Sequence, residues 1–182
     1  MEYKLIRSKR KTLSMQMTEG GLVVRAPFSA SEKSISDFLK KHERWIKKRE
    51  EELERRHAEA EKYPPLTDED VKELAGKALS YIPQRVKYYA DKMGVKYGRI
   101  TIRNQRTRWG SCSSKGNLNF NCLLMLTPPG VIDSVVVHEL CHLKHMDHSP
   151  KFYAEVRRIY PGYDRWNSWL KENGKIILLR MK

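Results

Sequence analysis

The chain is predicted to adopt an α+β fold, and three observations predict it. Short apolar–polar alternations occur near the N-terminus and on both sides of residues 106–114. Stretches with helical spacing of apolar residues separate and follow them. A run of valines, Val135-Val136-Val137, leads directly into His138-Glu139-Leu140-Cys141-His142, a buried-helix pattern carrying titratable groups. At 182 residues and 40% hydrophobic, the chain can bury a core of one domain with a smaller one appended.

Residues 12–18 alternate, Glu19-Gly20-Gly21 supplies a turn, and residues 22–26 return as Leu-Val-Val-Arg-Ala before Pro27, which together predict a β-hairpin with one buried face. Ser31 can cap a helix in which Ile35, Phe38, Leu39, Trp45 and Ile46 recur at helical spacing. From Lys47 the same helix becomes almost wholly charged, a solvated face on which Glu51 and Arg55 stand at i,i+4, without the sustained a/d residues of a coiled coil. Tyr63-Pro64-Pro65 is the strongest punctuation, so the boundary is expected there: residues 1–63 form a hairpin with a long charged helix, and residues 64–182 a second domain.

In that second part Thr67 and Asp70 resemble a capping box. The helix it opens runs through Val71, Leu74, Ala78, Ile82, Val86, Tyr89, Ala90 and Met93, with Pro83 as a kink or break and Gly94 as terminator. Residues 99–103 and 117–126 read as two strands, antiparallel across the intervening loop. Pro128-Pro129 starts the valine-rich helix, Ser149-Pro150 starts another that ends near Pro161-Gly162, and residues 163–170 give a last short helix. Neither internal repeats nor a glycine-rich phosphate loop is present.

A net charge of +14 predicts attraction to polyanions, nucleic acid and nucleotides included, or else a lysine-rich surface that keeps the chain in solution. No secretory apolar segment occupies the first twenty residues, and no run reaches a membrane span, so a cytoplasmic location without membrane contact is expected. Three cysteines, Cys112, Cys122 and Cys141, do not make a disulfide framework and fit a reducing compartment. Cys112 has no partner at CxxC spacing and is expected to pack as a small apolar group, as is Cys141.

The HExxH run places His138 and His142 four apart on one helical face, able to point two imidazoles at one Zn²⁺ ion, with Glu139 one position round as general base for an attacking water. A catalytic zinc needs a third protein ligand, and His148, just past the helix end, can be turned back towards it. His145 competes, but one straight helix does not readily bring His138, His142 and His145 to a tetrahedral centre; Glu155 is a weaker candidate on the next helix. Tyr160, Tyr163 and the arginines at 106–108 are candidate donors to a developing oxyanion. Substrate contacts are expected from Arg106, Arg108, Trp109, Asn119 and Asn121, either along an edge strand at 117–126 that accepts an extended peptide or through the arginines, with Arg99 and Arg103, around a phosphate chain.

Arg108-Trp109-Gly110-Ser111-Cys112, the strand-like segment from Asn117 to Leu126, His138-Glu139-Leu140-Cys141-His142 and His148-Ser149-Pro150 with Phe152 resemble the YgjP-like metallopeptidase family, related to the SprT-like and WLM-type zinc proteases. The N-terminal pattern from Arg7-Ser8 to Pro27 is similar too, so the likeness spans nearly the whole chain. The resemblance implies a zincin-like domain, a small antiparallel sheet with an HExxH helix bundle, in which His138, His142 and His148 hold zinc and Glu139 is the base. It leaves the substrate open between peptide or unfolded protein and a nucleotide, because some proteins of the family are labelled metal-dependent UTP pyrophosphatases. The basic charge adds a third expectation, a nucleic-acid-associated protease or binding module. The oligomeric state is not legible.

Overall fold

The computed structural model describes residues 2–181. The chain divides into two compact units, Met1–Glu59 and Ala60–Lys182.

The first unit holds strands β1 (Tyr3–Ser8), β2 (Ser14–Thr18) and β3 (Gly21–Pro27), then helices α1 (Glu32–Lys41) and α2 (Glu43–Ala60), the last of which runs to the junction. β2 and β3 form the expected hairpin, with Met15 opposite Val24 and Met17 opposite Leu22, and Gly21 takes the positive φ of 97° that the turn demands. β1 is not apparent in the sequence, where Lys4 and Arg7 interrupt the apolar residues. It pairs parallel to β3 on the free side of the hairpin. Arg7 pins the exit from β3 by donating through Nη1 to the carbonyls of Pro27, Phe28 and Ala30.

Ser31 caps α1 through its side chain, as expected, but the single helix predicted from it is two. His42 closes α1 by donating its backbone N–H to the Leu39 carbonyl, and its φ of −111° bends the chain. The bend lets Ile46 join Ile35, Leu39, Leu22, Val24 and Ala26 in one small core. On the charged half of α2, Glu52 pairs with Arg49 and Arg56.

In the second unit α3 (Asp68–Met93) opens with the full capping box of Thr67 and Asp70 and closes on left-handed Gly94. It continues through Pro83, where the helix ladder is disturbed and Gln84 Nε2 donates to the Ser80 carbonyl at 2.7 Å. Strands β4 (Ile100–Arg103), β5 (Gly110–Cys112) and β6 (Leu118–Asn121) form a sheet in the order β4-β6-β5. This corrects the expected strand pairing. β4 lies parallel to β6, because the loop between them contains β5, which takes the antiparallel hairpin partnership across Gly116 (φ 73°). Residues 122–126 are not strand either but a 3-10 turn, Cys122–Leu126, opened by the Asn121 side chain accepting from Leu123 N.

Helices α4 (Pro129–Cys141), α5 (Pro150–Ile159) and α6 (Tyr163–Leu179) complete the unit. α6 is longer than the short helix expected. Its end is tied back by Arg180, whose carbonyl accepts from Leu66 N at 2.8 Å, and by the bridge between Met181 and Leu66. α4 is buried almost all round: Val131, Ile132, Val135, Val136, Val137, Leu140 and Cys141 are 8% exposed or less. At about 1.5–3 kcal/mol for each fully buried aliphatic side chain, this helix is an anchor for whatever it carries. None of the helices is long and apolar enough to cross a membrane among the described residues.

Candidate metal centre and active site

His138 lies in the last turn of α4 and His142 is its C-cap residue, so both still follow the helical repeat. Beyond them the chain turns, and Ser149 caps α5 by accepting from Phe152 N. That turn returns His148 to the first two histidines. One ring nitrogen from each of His138, His142 and His148 lies within 4.8 Å of the others, and Nε2 of His148 is 3.0 Å from Nε2 of His138. Two nitrogens bound at about 2.0–2.1 Å to one tetrahedral zinc lie about 3.3 Å apart, so the spacing suits a shared ion.

The outer ring nitrogens support the same chemistry. His142 Nδ1 lies 3.1 Å from the His145 carbonyl. A carbonyl only accepts, so the neutral ring carries its proton on Nδ1 and leaves the Nε2 lone pair free. His138 Nδ1 lies 3.0 Å from the Tyr163 hydroxyl at the start of α6. Burial, then the neighbouring His142 and His148, pushes the His138 pKa down to about 4, and burial lowers that of His142, against the pull of the His145 carbonyl. Both rings are therefore neutral donors at neutral pH, the form a metal requires. Phe152, fully buried, packs beneath all three imidazoles, its ring centroid 4.9, 4.7 and 5.0 Å from those of His138, His142 and His148.

Glu139 is 5% exposed, and its Oε2 is a buried atom without a hydrogen-bond partner. Burial raises its pKa to about 8, and the positive field of Arg108 partly opposes this. An orphaned, buried carboxylate oxygen next to a cluster of neutral imidazoles is the donor set expected of a divalent-ion site with an adjacent base. Strand β5 covers it directly. A Cβ on Gly110 would stand 2.6 Å from Glu139 Oε1 and 2.7 Å from its Cγ, so only glycine permits this approach.

The remaining candidates separate. His145 contributes its carbonyl rather than its ring. Glu155 is committed to Lys144 and Arg158, which hold its pKa down at about 2. Tyr160 donates to the Gly130 carbonyl at 3.2 Å, which takes up its proton, and the Tyr163 hydroxyl lies 3.0 Å from His138 Nδ1. Asn121 cannot meet a substrate. It is fully buried, its Nδ2 donating to the carbonyls of Gln105 and Arg108 at 2.6 and 2.9 Å, which fastens the loop ahead of β5. Asn119 sits mid-sheet, bonded to Ser111 Oγ and Arg103 Nε. Trp109 packs its ring against Gly174 of α6 instead of offering a stacking face. Arg106 and Arg108 are exposed on the loop.

The peptide edge also moves. β6 is the central strand and has no free edge, whereas β5 pairs on one side alone among the described residues. Trp109, Ser111 and Ser113 face β6, as the bonds from Asn121 N to Trp109 O and from Ser113 N to Asn117 O indicate. Gly110 and Cys112 therefore direct their backbone groups outward. All three cysteines are free thiols; burial, and the nearby Glu139 carboxylate, raise the Cys112 pKa to about 11, so it is not a thiolate. Gly110 and Phe152 were quotable from the sequence as motif letters, but no spacing rule assigns either a place against Glu139 or the histidines.

The model of the YgjP-like, metallopeptidase domain family matches residues 11–77 and 70–173. Among solved structures, the metallopeptidase zymogen jannalysin of Methanocaldococcus jannaschii is 19% identical, with 50% of this chain and 95% of that chain covered at a TM-score of 0.45. The metallopeptidase zymogen abylysin of Pyrococcus abyssi is likewise 19% identical, with 52% and 96% covered at a TM-score of 0.46. No curated protein matches the chain. With the family pattern running through both units and through the histidine cluster, the chain belongs to the YgjP-like metallopeptidase family.

Proposed function

We propose that the protein is a zinc-dependent peptidase in which His138, His142 and His148 hold the ion and Glu139 is the general base. The observation that carries this reading is the buried, partnerless Glu139 Oε2 beside three converging imidazoles. A zinc ion held there supplies Lewis acidity to a carbonyl and lowers the pKa of a water into the neutral range. The Nδ1–H of His142 donates to the His145 carbonyl and that of His138 to the Tyr163 hydroxyl, which orients both rings with Nε2 inward. Phe152 keeps water from the back of the cluster.

Glu139 accepts the proton of the attacking water and delivers it to the leaving amine. Burial, which raises the Glu139 pKa, favours the neutral carboxyl formed once the water proton has been taken. The peptide is best accommodated as an added strand on β5, its backbone paired with the outward groups of Gly110 and Cys112, which brings a scissile carbonyl past Glu139. Of the arginines expected around a phosphate chain, Arg103 is bonded to Asn119.

The test is metal analysis coupled to cleavage of unfolded casein and, in parallel, phosphate release from nucleoside triphosphates. About one zinc per chain and chelator-sensitive casein cleavage, abolished in Glu139→Gln with zinc retained, are expected. Full activity in Glu139→Gln would remove the assigned base, and phosphate release without proteolysis would replace the peptidase reading.

A further inference from the structure

We propose that Arg108 is a catalytic residue, its guanidinium donating to the substrate carbonyl oxygen as negative charge develops there. The inference deepens the peptidase reading and rests on it. Hydrolysis of an amide needs a donor for the oxyanion; of the donors that sequence suggested, the Tyr160 hydroxyl is spent on the Gly130 carbonyl, and the Tyr163 hydroxyl is engaged as the acceptor of His138 Nδ1–H. Four cations around the site are paired as well. Arg85 is bound to Asp133, Lys144 and Arg158 to Glu155, and Arg157 to Asp164.

Arg108 differs from all of these. Its side chain is exposed and carries no hydrogen-bond or ion-pair partner among the described residues. Its position, by contrast, is held on three sides. Asn121 Nδ2 grips the carbonyls of Gln105 and Arg108, Asn121 N donates to the Trp109 carbonyl at 2.9 Å, and the Trp109 ring is seated against Gly174. Two residues on, Gly110 lies against the Glu139 carboxylate. A free cation on a fixed backbone therefore stands two residues from the strand position that abuts Glu139. Its planar fork of donors suits an oxygen anion arriving along β5.

The step balances as follows. Water oxygen bonds to the carbonyl carbon while its proton passes to Glu139, and the π pair moves to the carbonyl oxygen, where Arg108 meets it. Collapse restores the C=O bond, breaks the C–N bond and sends the proton from Glu139 to the departing amine. Glu139 and Arg108 end as they began.

The experiment compares wild type, Arg108→Ala, Arg108→Lys and Tyr153→Phe, all zinc-loaded, on unfolded casein. Tyr153 is the competing donor, because its ring faces His148 at 6.1 Å between centroids. Arg108→Ala should lower kcat by about 10²–10³-fold, the cost of one oxyanion donor, with apparent KM and zinc content nearly unchanged. Arg108→Lys should fall between, and added guanidinium chloride at non-denaturing concentration should restore part of the Arg108→Ala rate while leaving Glu139→Gln inactive. A rise in KM at wild-type kcat, or a kcat loss in Tyr153→Phe with Arg108→Ala intact, overturns the assignment. Failure of zinc-loaded wild type to cleave casein sinks the peptidase reading and the proposal with it; cleavage by wild type and Arg108→Ala alike sinks only the proposal.

Discussion

Gly110→Ala isolates the contact between the sheet and Glu139. The added Cβ would stand 2.6, 2.7 and 2.9 Å from Oε1, Cγ and Cδ of Glu139, all inside the range that real Cβ atoms avoid. Gly110 does not adopt a positive φ, so alanine is conformationally allowed and by restricting the unfolded chain would contribute about 0.4–1 kcal/mol in favour of folding. The clash opposes this, and neither party yields cheaply. Glu139 is on α4, whose flanking Val136, Val137 and Leu140 are fully buried, while β5 is held by its pairing with β6 and by Trp109. Overpacking of that kind costs about 1–3 kcal/mol, so the net expectation is destabilisation by about 1–2 kcal/mol. On the proposed role of Glu139 the effect on function should be larger, because displacing a catalytic carboxylate by about an ångström costs about 10²-fold in rate. Urea unfolding, zinc content and casein cleavage would be measured together. Unchanged zinc, modestly lower stability and a collapsed kcat are expected; a variant as stable and as active as wild type would show that β5 does not abut the base.

Other consequences are open to measurement. Tyr163→Phe should weaken zinc binding by about 10–100-fold in chelator competition, since His138 loses the partner of its Nδ1, and equal affinity would refute the orienting role. Asp133→Ala leaves Arg85 and the Tyr89 hydroxyl without the carboxylate they share and should cost about 1–3 kcal/mol in urea unfolding, whereas no loss would make that network ornamental to stability. Glu155, drawn down from 4.5 to about 2 by Arg158 and then Lys144, contributes stability present above pH 4.5 and lost as pH falls through about 2. Glu155→Gln should therefore flatten the acid limb of thermal stability in that window, and an unaltered limb would place the acid sensitivity elsewhere.

Legibility followed the range of the interactions. The hairpin turn at Gly20-Gly21, the caps at Ser31 and Thr67, the stop at Gly94 and the proline at the start of α4 are all local devices, and each is where its residues predict. Pro83 does not break α3, which continues past it while Gln84 Nε2 donates to the Ser80 carbonyl. β1 and the parallel pairing of β4 with β6 depend on partners far along the chain, for which alternation within a strand offers no information. Asn119 and Asn121 show the same limit within one strand. Both look like exposed polar residues beside a site, yet Asn121 faces inward and clamps the loop carbonyls.

By itself the sequence determined the chemistry on offer: two histidines four apart with a glutamate between them, on a helix too apolar to be anything but buried, and a third histidine just beyond its end. Helical periodicity is a property of consecutive residues, so that much needs no tertiary knowledge. Only the tertiary structure decided which groups stand around that helix. It set Tyr163 on His138, Phe152 under all three rings and Gly110 against Glu139, and left Arg108 exposed on the loop before β5. Those relations join β5, α4, α5 and α6 across a shared core, and burial, electrostatic field and contact arise only when such distant segments are packed together.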